Sequence, residues 1–151
     1  MAKAIIAYGS TTGQTELMAG CIALGMKEAG ADVTISSATD IDATALLGYD
    51  IVVLGSSTWN GLQQEFEPLY EELEDVSLAG KNSAAFGSGD SSYGSAFCEA
   101  VDMIEQRLTD RGAKIVTPAL KVDGPVEAVQ ERCREWGKRL ASAAMAPSIP
   151  D

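Results

Sequence analysis

The segment Ser10-Thr11-Thr12-Gly13-Gln14-Thr15 gathers four hydroxyl side chains around a glycine, where an apolar run gives way to helical spacing. A strand handing over to a helix leaves free backbone N–H groups and the positive end of the helix dipole, which together favour an anion. The hydroxyls add donors, and Gly13 lets the backbone approach closely. The plainer reading of the same residues is a helix N-cap in which threonine and Glu16 form a capping pair. The segment lacks the lysine of a P-loop and the G-x-G-x-x-G spacing of a dinucleotide fold. It contains no Lys or Arg. A phosphate there is held by dipoles alone, which suits a monophosphate bound once and kept.

Two further segments bring flat rings. Ser56-Ser57-Thr58-Trp59-Asn60-Gly61 sets a tryptophan just ahead of an Asn-Gly turn. Beside such a turn an aromatic offers a stacking face for a heterocycle, although alone it would read as a core tryptophan. Asn60 and Gly61 both tolerate positive φ, so the peptide between them flips at little cost. Ser88-Gly89-Asp90-Ser91-Ser92-Tyr93-Gly94-Ser95-Ala96-Phe97-Cys98 supplies backbone amides, one carboxylate and a second aromatic. Taken singly, Asp90 reads as a helix cap and Tyr93 as its cover. Two aromatics on opposite loops plus a phosphate turn are explained more economically by a flavin sandwich than by three separate structural roles.

The elements around these loops alternate strand and helix. Ala4-Ile5-Ile6-Ala7-Tyr8 and Ile51-Val52-Val53-Leu54 are short apolar runs closed by glycine, as expected of strands covered on both faces. Ala31–Ile35, Ser83–Gly87 and Lys114–Val116 read as further strands, the last interrupted by Pro118 and resumed over Ala119–Val122 as at a sheet edge. Helical spacing links Leu17, Met18, Cys21, Ile22, Gly25 and Ala29, then Phe97, Val101, Ile104 and Leu108, then Val126, Val129, Cys133, Trp136 and Leu140. Gly30 and Gly112 are placed to end the first two of these helices, and Pro125 suits the first turn of the third. A short helical turn at Ala43–Leu47 and an acidic helix over 62–75 complete the series. Five strands alternating with helices predict a doubly wound parallel sheet with right-handed crossovers. Its ligands belong beyond the carboxyl ends of the strands, where all three loops fall.

Composition narrows the chemistry. A chain of 151 residues has room for one domain, expected over 1–145, with 146–151 as a flexible tail. Hydrophobic residues at 46% argue against disorder, and a net charge of −11 disfavours nucleic acid and anionic membrane. That charge favours solubility and steering toward basic partners. There is no histidine, the commonest general base and metal ligand, so no metal site and no catalytic residue is assigned. Cys21, Cys98 and Cys133 are too scattered for a disulfide framework and suit free thiols in a reducing cytoplasm. No apolar run approaches the ~20 residues of a membrane span, and no stretch reads as a signal peptide. The chemistry therefore belongs to a bound cofactor.

The segments Tyr8-Gly9-Ser10-Thr11-Thr12-Gly13-Gln14-Thr15-Glu16, Leu54-Gly55-Ser56-Ser57-Thr58-Trp59 and Gly87-Ser88-Gly89-Asp90-Ser91-Ser92-Tyr93 resemble the three FMN loops of flavodoxins. The similarity holds in order and spacing over residues 3–141, and the last strand region looks like that of the short-chain group. The resemblance implies a flavodoxin-like α/β fold, a five-stranded parallel sheet in the order 2-1-3-4-5 with helices on both faces. It also implies one non-covalent FMN, its phosphate on Ser10, Thr11, Thr12, Gly13, Gln14 and Thr15. Ser57, Thr58, Trp59, Asn60 and Gly61 would line the inner face and N5 edge of the ring. Tyr93 would stack outside, with Ser88, Gly89, Asp90, Phe97 and Cys98 toward the pyrimidine edge. Departures from the family pattern are Gln14 for the usual asparagine, Asn60 where glycine often stands, a shorter first flavin loop, and Gly94-Ser95-Ala96 in place of a second aromatic.

The function implied is low-potential electron transfer between redox proteins, cycling mainly between semiquinone and hydroquinone, with no substrate turnover of its own. The flipped carbonyl of the Asn60-Gly61 peptide would meet the N5 proton, while Asp90 and the acidic protein oppose negative charge near N1. Glu65, Glu67, Glu71, Glu72, Glu74 and Asp75, with Glu99, Asp102 and Glu105, would steer basic redox partners to a cytoplasmic monomer. Three rivals use the same topology. A receiver-like phosphoacceptor needs acids where Ser10 and Ser56 stand. An FMN-dependent quinone reductase needs a nicotinamide site, and an FMN-free interaction module would purify colourless.

Overall fold

Short runs of small and β-branched apolar residues become the strands, and the helical stripes pack on either side of them. The computed structural model describes residues 3–9, 14–56, 66–89, 99–123 and 130–145. Its strands are β1 (Lys3–Gly9), β2 (Asp32–Ser37), β3 (Ile51–Ser56), β4 (Asn82–Gly89), β5 (Lys114–Ile115) and β6 (Leu120–Asp123). Its α-helices are α1 (Gln14–Glu28), α2 (Glu67–Glu72), α3 (Glu99–Asp110) and α4 (Gln130–Met145). Every strand pairing is parallel, in the order β2-β1-β3-β4-β5, with β6 also on β4. This is the expected doubly wound order.

The fifth position of the sheet holds two segments rather than one strand. β5 pairs Lys114 with Asn82 and Ile115 with Ser83, and β6 resumes with Leu120 opposite Phe86. Pro118 lies in the gap, where its missing N–H removes a ladder bond. In the same gap the Pro118 carbonyl is taken by the Trp136 indole, whose Nε1–H donates to it at 2.9 Å. β4 is longer than its five-residue sequence signal, running on to Gly89.

Alternate residues of the strands feed two cores. On the α1/α4 side lie Ile6, Val53 and Phe86 with Met18, Ile22, Met26, Trp136 and Leu140. On the α2/α3 side lie Ile5, Val52 and Leu54 with Phe66, Leu69, Leu73, Val101, Ile104 and Leu108. The predicted helical stripes thus face inward wherever they are described; Phe97, Val126 and Val129 lie outside the described residues. Of the acidic helix expected over 62–75, α2 and a 3₁₀ turn at Leu73–Asp75 are described, and 62–65 are not. The tail at 146–151 also lies outside them.

Gly30 and Gly112 end their helices as expected, at φ +100° and +93°. Around Gly30 the Ala31 N–H reaches back to the Met26 carbonyl at 3.1 Å and the Gly30 N–H to that of Lys27 at 3.0 Å, a Schellman pattern. Glycine has a different use between α1 and α4. A Cβ on Gly25 would overlap the Arg134 carbonyl, and one on Gly137 would overlap the Ile22 carbonyl. The two backbones touch without side chains between them. Over this seam Arg134 pairs bidentately with Glu28 and donates to Glu131 Oε2 at 3.2 Å, holding the Glu28 carboxyl below its ordinary range.

Three outcomes follow from this packing. Gly137→Ala should destabilise the protein by about 1–3 kcal/mol, as overpacking does, so an unchanged thermal midpoint would contradict the seam. The Ser83 hydroxyl is buried without a hydrogen-bond partner. Ser83→Ala should therefore raise stability by about 1 kcal/mol in denaturant titrations, and a loss would mean the hydroxyl is satisfied. Burial, aided by the neighbouring Cys21, pushes the Cys133 thiol up to about 11. Mass spectrometry after alkylation at mildly alkaline pH should find Cys133 unmodified until the protein is unfolded.

Candidate functional site

β1, β3 and β4 end side by side. Gly9 is in register with Ser56, so β1 and β3 stop level, and Gly55 is in register with Phe86, so β4 runs on past them to Gly89 at the same edge. A Cβ on Gly87 would overlap the Ser56 carbonyl, so β3 and β4 come this close only because that residue is glycine. From these ends depart the segments 10–13, 57–65 and 90–98, the three that the sequence singled out. β1 is also where the connections part, β2 lying on one side of it and β3 on the other. Parallel sheets bind their ligands at such a switch point.

The first of these segments leads straight into α1. Gln14 opens that helix, and Thr15, the next residue, is fully buried, as is Ser56 at the end of β3. Four residues separate the end of β1 at Gly9 from the start of α1 at Gln14. Ser88 and Gly89 are the last residues of β4, in register with Val122 and Asp123 of β6. Ser10, Thr11, Thr12, Gly13, Ser57, Thr58, Trp59, Asn60, Gly61, Asp90, Tyr93, Phe97 and Cys98 lie outside the described residues. What the framework does with them is to start and finish their loops at one edge of the sheet.

Charge is distributed unevenly around that edge. All eleven Lys and Arg residues fall outside the segments 10–13, 57–65 and 90–98. Lys3, Lys81 and Lys114 stand at the amino ends of strands, with Lys27 and Arg111 at the ends of α1 and α3 nearby. On β6, Lys121 lies opposite Gly87, and its Nζ is 2.7 Å from Asp102 Oδ1. The first-turn amides of α1, next to a segment rich in hydroxyls and without Lys or Arg, make a donor set suited to a phosphate monoester held by dipoles. The described part of this edge, the opening of α1 with buried Thr15 and Ser56, fits the phosphate end of FMN.

A group that the periodicity did not reveal lies below this edge. Arg107 of α3 places its guanidinium 4.1 Å over the Tyr70 ring, donates from Nη1 to the Tyr70 carbonyl at 3.1 Å, and meets Glu74 Oε1 at 3.1 Å. Arg111 donates to the Glu74 carbonyl at 2.8 Å. An open groove of about 600 Å³, lined by Glu67, Tyr70, Glu71, Glu74 and Arg107, runs beside them. Stripe-based reading finds apolar faces, so an arginine that caps a neighbouring helix across 37 residues leaves no signal in the sequence. Among the described residues no cluster of His, Cys, Asp and Glu is arranged to hold a metal, and no helix is long and apolar enough to cross a membrane.

Comparison with known proteins agrees with this geometry. The flavodoxin sequence profile matches residues 6–136. The chain is 42% identical to the flavodoxin of Maridesulfovibrio salexigens, covering 93% of this chain and 98% of that one. It is 41% identical to probable flavodoxin 2 of Bacillus subtilis, over 93% of this chain and 95% of that one. The crystal structure of oxidised flavodoxin 2 from Bacillus cereus superposes with a TM-score of 0.88 at 39% identity, over 93% and 99% of the two chains. With the profile spanning most of its length and relatives matched nearly end to end, the chain belongs to the flavodoxin family.

Proposed function

We propose that this chain carries electrons on one non-covalently bound FMN between redox partner proteins, at low potential and without turning over a substrate. Family membership makes it an electron-transfer flavoprotein. The observation that carries the finer reading is that β1, β3 and β4 all release their following segments at the carboxyl edge of the sheet, segments that hold an uncharged hydroxyl-rich turn and two aromatics. When bound, FMN supplies the capacity to take and return electrons singly.

The chain's own residues have separable tasks in this reading. Ser10, Thr11, Thr12, Gly13, Gln14 and Thr15 hold the phosphate through hydroxyls and the α1 amides. Ser57, Thr58, Trp59, Asn60 and Gly61 would cover the inner face, and the carbonyl between Asn60 and Gly61 would accept a hydrogen bond from an N–H at N5. Tyr93 excludes water from the outer face, while Ser88, Gly89, Asp90, Phe97 and Cys98 enclose the pyrimidine edge. Asp90 and the acidic protein oppose negative charge near N1 and keep the potential low.

The same distribution supports docking of basic partners to a monomeric, cytoplasmic protein. Lys3, Lys27, Lys81, Arg111 and Lys114 stand toward the amino edge of the sheet, and Glu67, Asp102 and Glu105 lie in the first turns of α2 and α3 toward the opposite end. Rates of electron transfer to such a partner should fall as salt screens the attraction.

Spectroscopy tests the reading directly. The purified protein should be yellow, release FMN on acidification, and develop a long-wavelength absorbance band midway through dithionite titration. Colourless protein that refuses added FMN would remove the carrier function. Sustained NAD(P)H oxidation by the protein alone would favour a quinone reductase instead.

A further inference from the structure

Arg134 and Gly137 turn one flank of α4 toward α1. The other flank carries Arg132, Trp136 and Arg139, at i, i+4 and i+7, and faces the break in the fifth position of the sheet. With residues 117–120 these three side chains line an open groove of about 400 Å³. The bond from the Trp136 indole to the Pro118 carbonyl ties the helix wall to the strand wall. Trp136 and Leu120 are buried and Pro118 is exposed, so the groove has a fixed, apolar floor. Among the described residues no carboxylate lines it.

The arginines set this surface apart. The chain has five. Arg107 and Arg111 donate to the carbonyls of Tyr70 and Glu74, and Arg134 pairs with Glu28. Arg132 and Arg139 are exposed and, among the described residues, hold neither a hydrogen bond nor an ion pair. Both line the groove. In a chain of net charge −11 they place two unpaired guanidinium groups over one apolar floor. Guanidinium forks match carboxylates bidentately, so the surface is complementary to acidic side chains. Two turns of helix set the two arginine Cα atoms about 10 Å apart along the axis. An extended, polyproline-type segment brings residues three apart onto one side at about 9 Å. We propose that this groove docks an extended acidic segment of a partner protein. Two carboxylates three residues apart meet Arg132 and Arg139, and an apolar residue between them lies against Pro118 and Trp136. The groove uses no residue of the segments 10–13, 57–65 and 90–98, so the proposal stands independently of the cofactor.

The test titrates the protein as purified into a fluorescein-labelled peptide of two Glu-Pro-Ile-Glu repeats and follows anisotropy at low salt. Wild type should bind saturably, and the same peptide with Gln for Glu should not bind. Arg132→Gln and Arg139→Gln should each weaken binding about fivefold, the upper range for an exposed ion pair, and the double variant more than tenfold. Both arginines are exposed, so the melting temperatures of these variants should match wild type. Lys138→Gln removes the same charge from the same helix at an exposed residue that does not line the groove. It should stay within about twofold of wild type, because screening by solvent confines the effect of a surface charge. No saturable binding by wild type, or an equal loss in Lys138→Gln, would overturn the proposal. Displacement of the peptide by inorganic phosphate, unmatched by chloride at equal ionic strength, would make the groove a site for small anions and overturn it as well.

Discussion

The site depends on one constraint, the fixed register in which three neighbouring parallel strands reach the carboxyl edge of the sheet. Pairing of Gly9 with Ser56 and of Gly55 with Phe86 sets that level, β1 and β3 stopping there and β4 running on to Gly89. Register cannot slip to relax it, because both faces of the sheet are buried and each face has its own set of side chains. A shift of one residue would exchange Ile5 for Ile6 and Val52 for Val53 between the two cores. The close approach also requires absent side chains. A Cβ at position 55 would enter the Phe86 ring, and one at position 87 would meet the Ser56 backbone. Two glycines thus set the geometry of an edge whose chemistry belongs to other residues.

The helices transmit this level to the loops. The first-turn amides of α1 can face a phosphate only if the whole helix is held along its axis, and the hold lies well down the helix, at Gly25 against Arg134 and at Gly137 against Ile22. The pairing of Arg134 with Glu28 lies over the same contact. On the opposite face of the sheet α2 and α3 have no such glycine seam, and arginine links them instead. Backbone contact on one side and polar linkage on the other reach the same end by different physics. The first is rigid because nothing can be compressed further. The second depends on side-chain rotamers and is the softer of the two.

Much of this was legible in the residues. Apolar runs closed by glycine located β1 and β3, helical stripes located the buried faces of α1, α3 and α4, and Gly30 and Gly112 marked helix ends by their tolerance of positive φ. The break at Pro118 was legible too, because proline lacks the donor a strand requires. The indole that answers it was not, since Trp136 was placed by its stripe as a core residue and only the fold brings its N–H to the Pro118 carbonyl. The extent of β4 escaped for a related reason. Alanine and glycine carry little strand preference, and partners on both sides decide where such a strand stops. Of the candidate site, the sequence identified the loops by residue type, and the framework added their common edge. The Arg107 clamp joins residues far apart in the chain through a cation, a ring and a carbonyl, a combination without periodicity.

The placement of the eleven cations has a consequence for how the molecule responds to ionic strength. On the proposed function, a phosphate dianion nearing a chain of net charge −11, at a segment with no cation of its own, would be repelled at long range and held only at contact. Added salt would screen that repulsion and leave contact dipoles nearly untouched. Attraction of a basic partner would be weakened by the same screening. The two kinds of ligand in that reading would thus answer ionic strength with opposite signs.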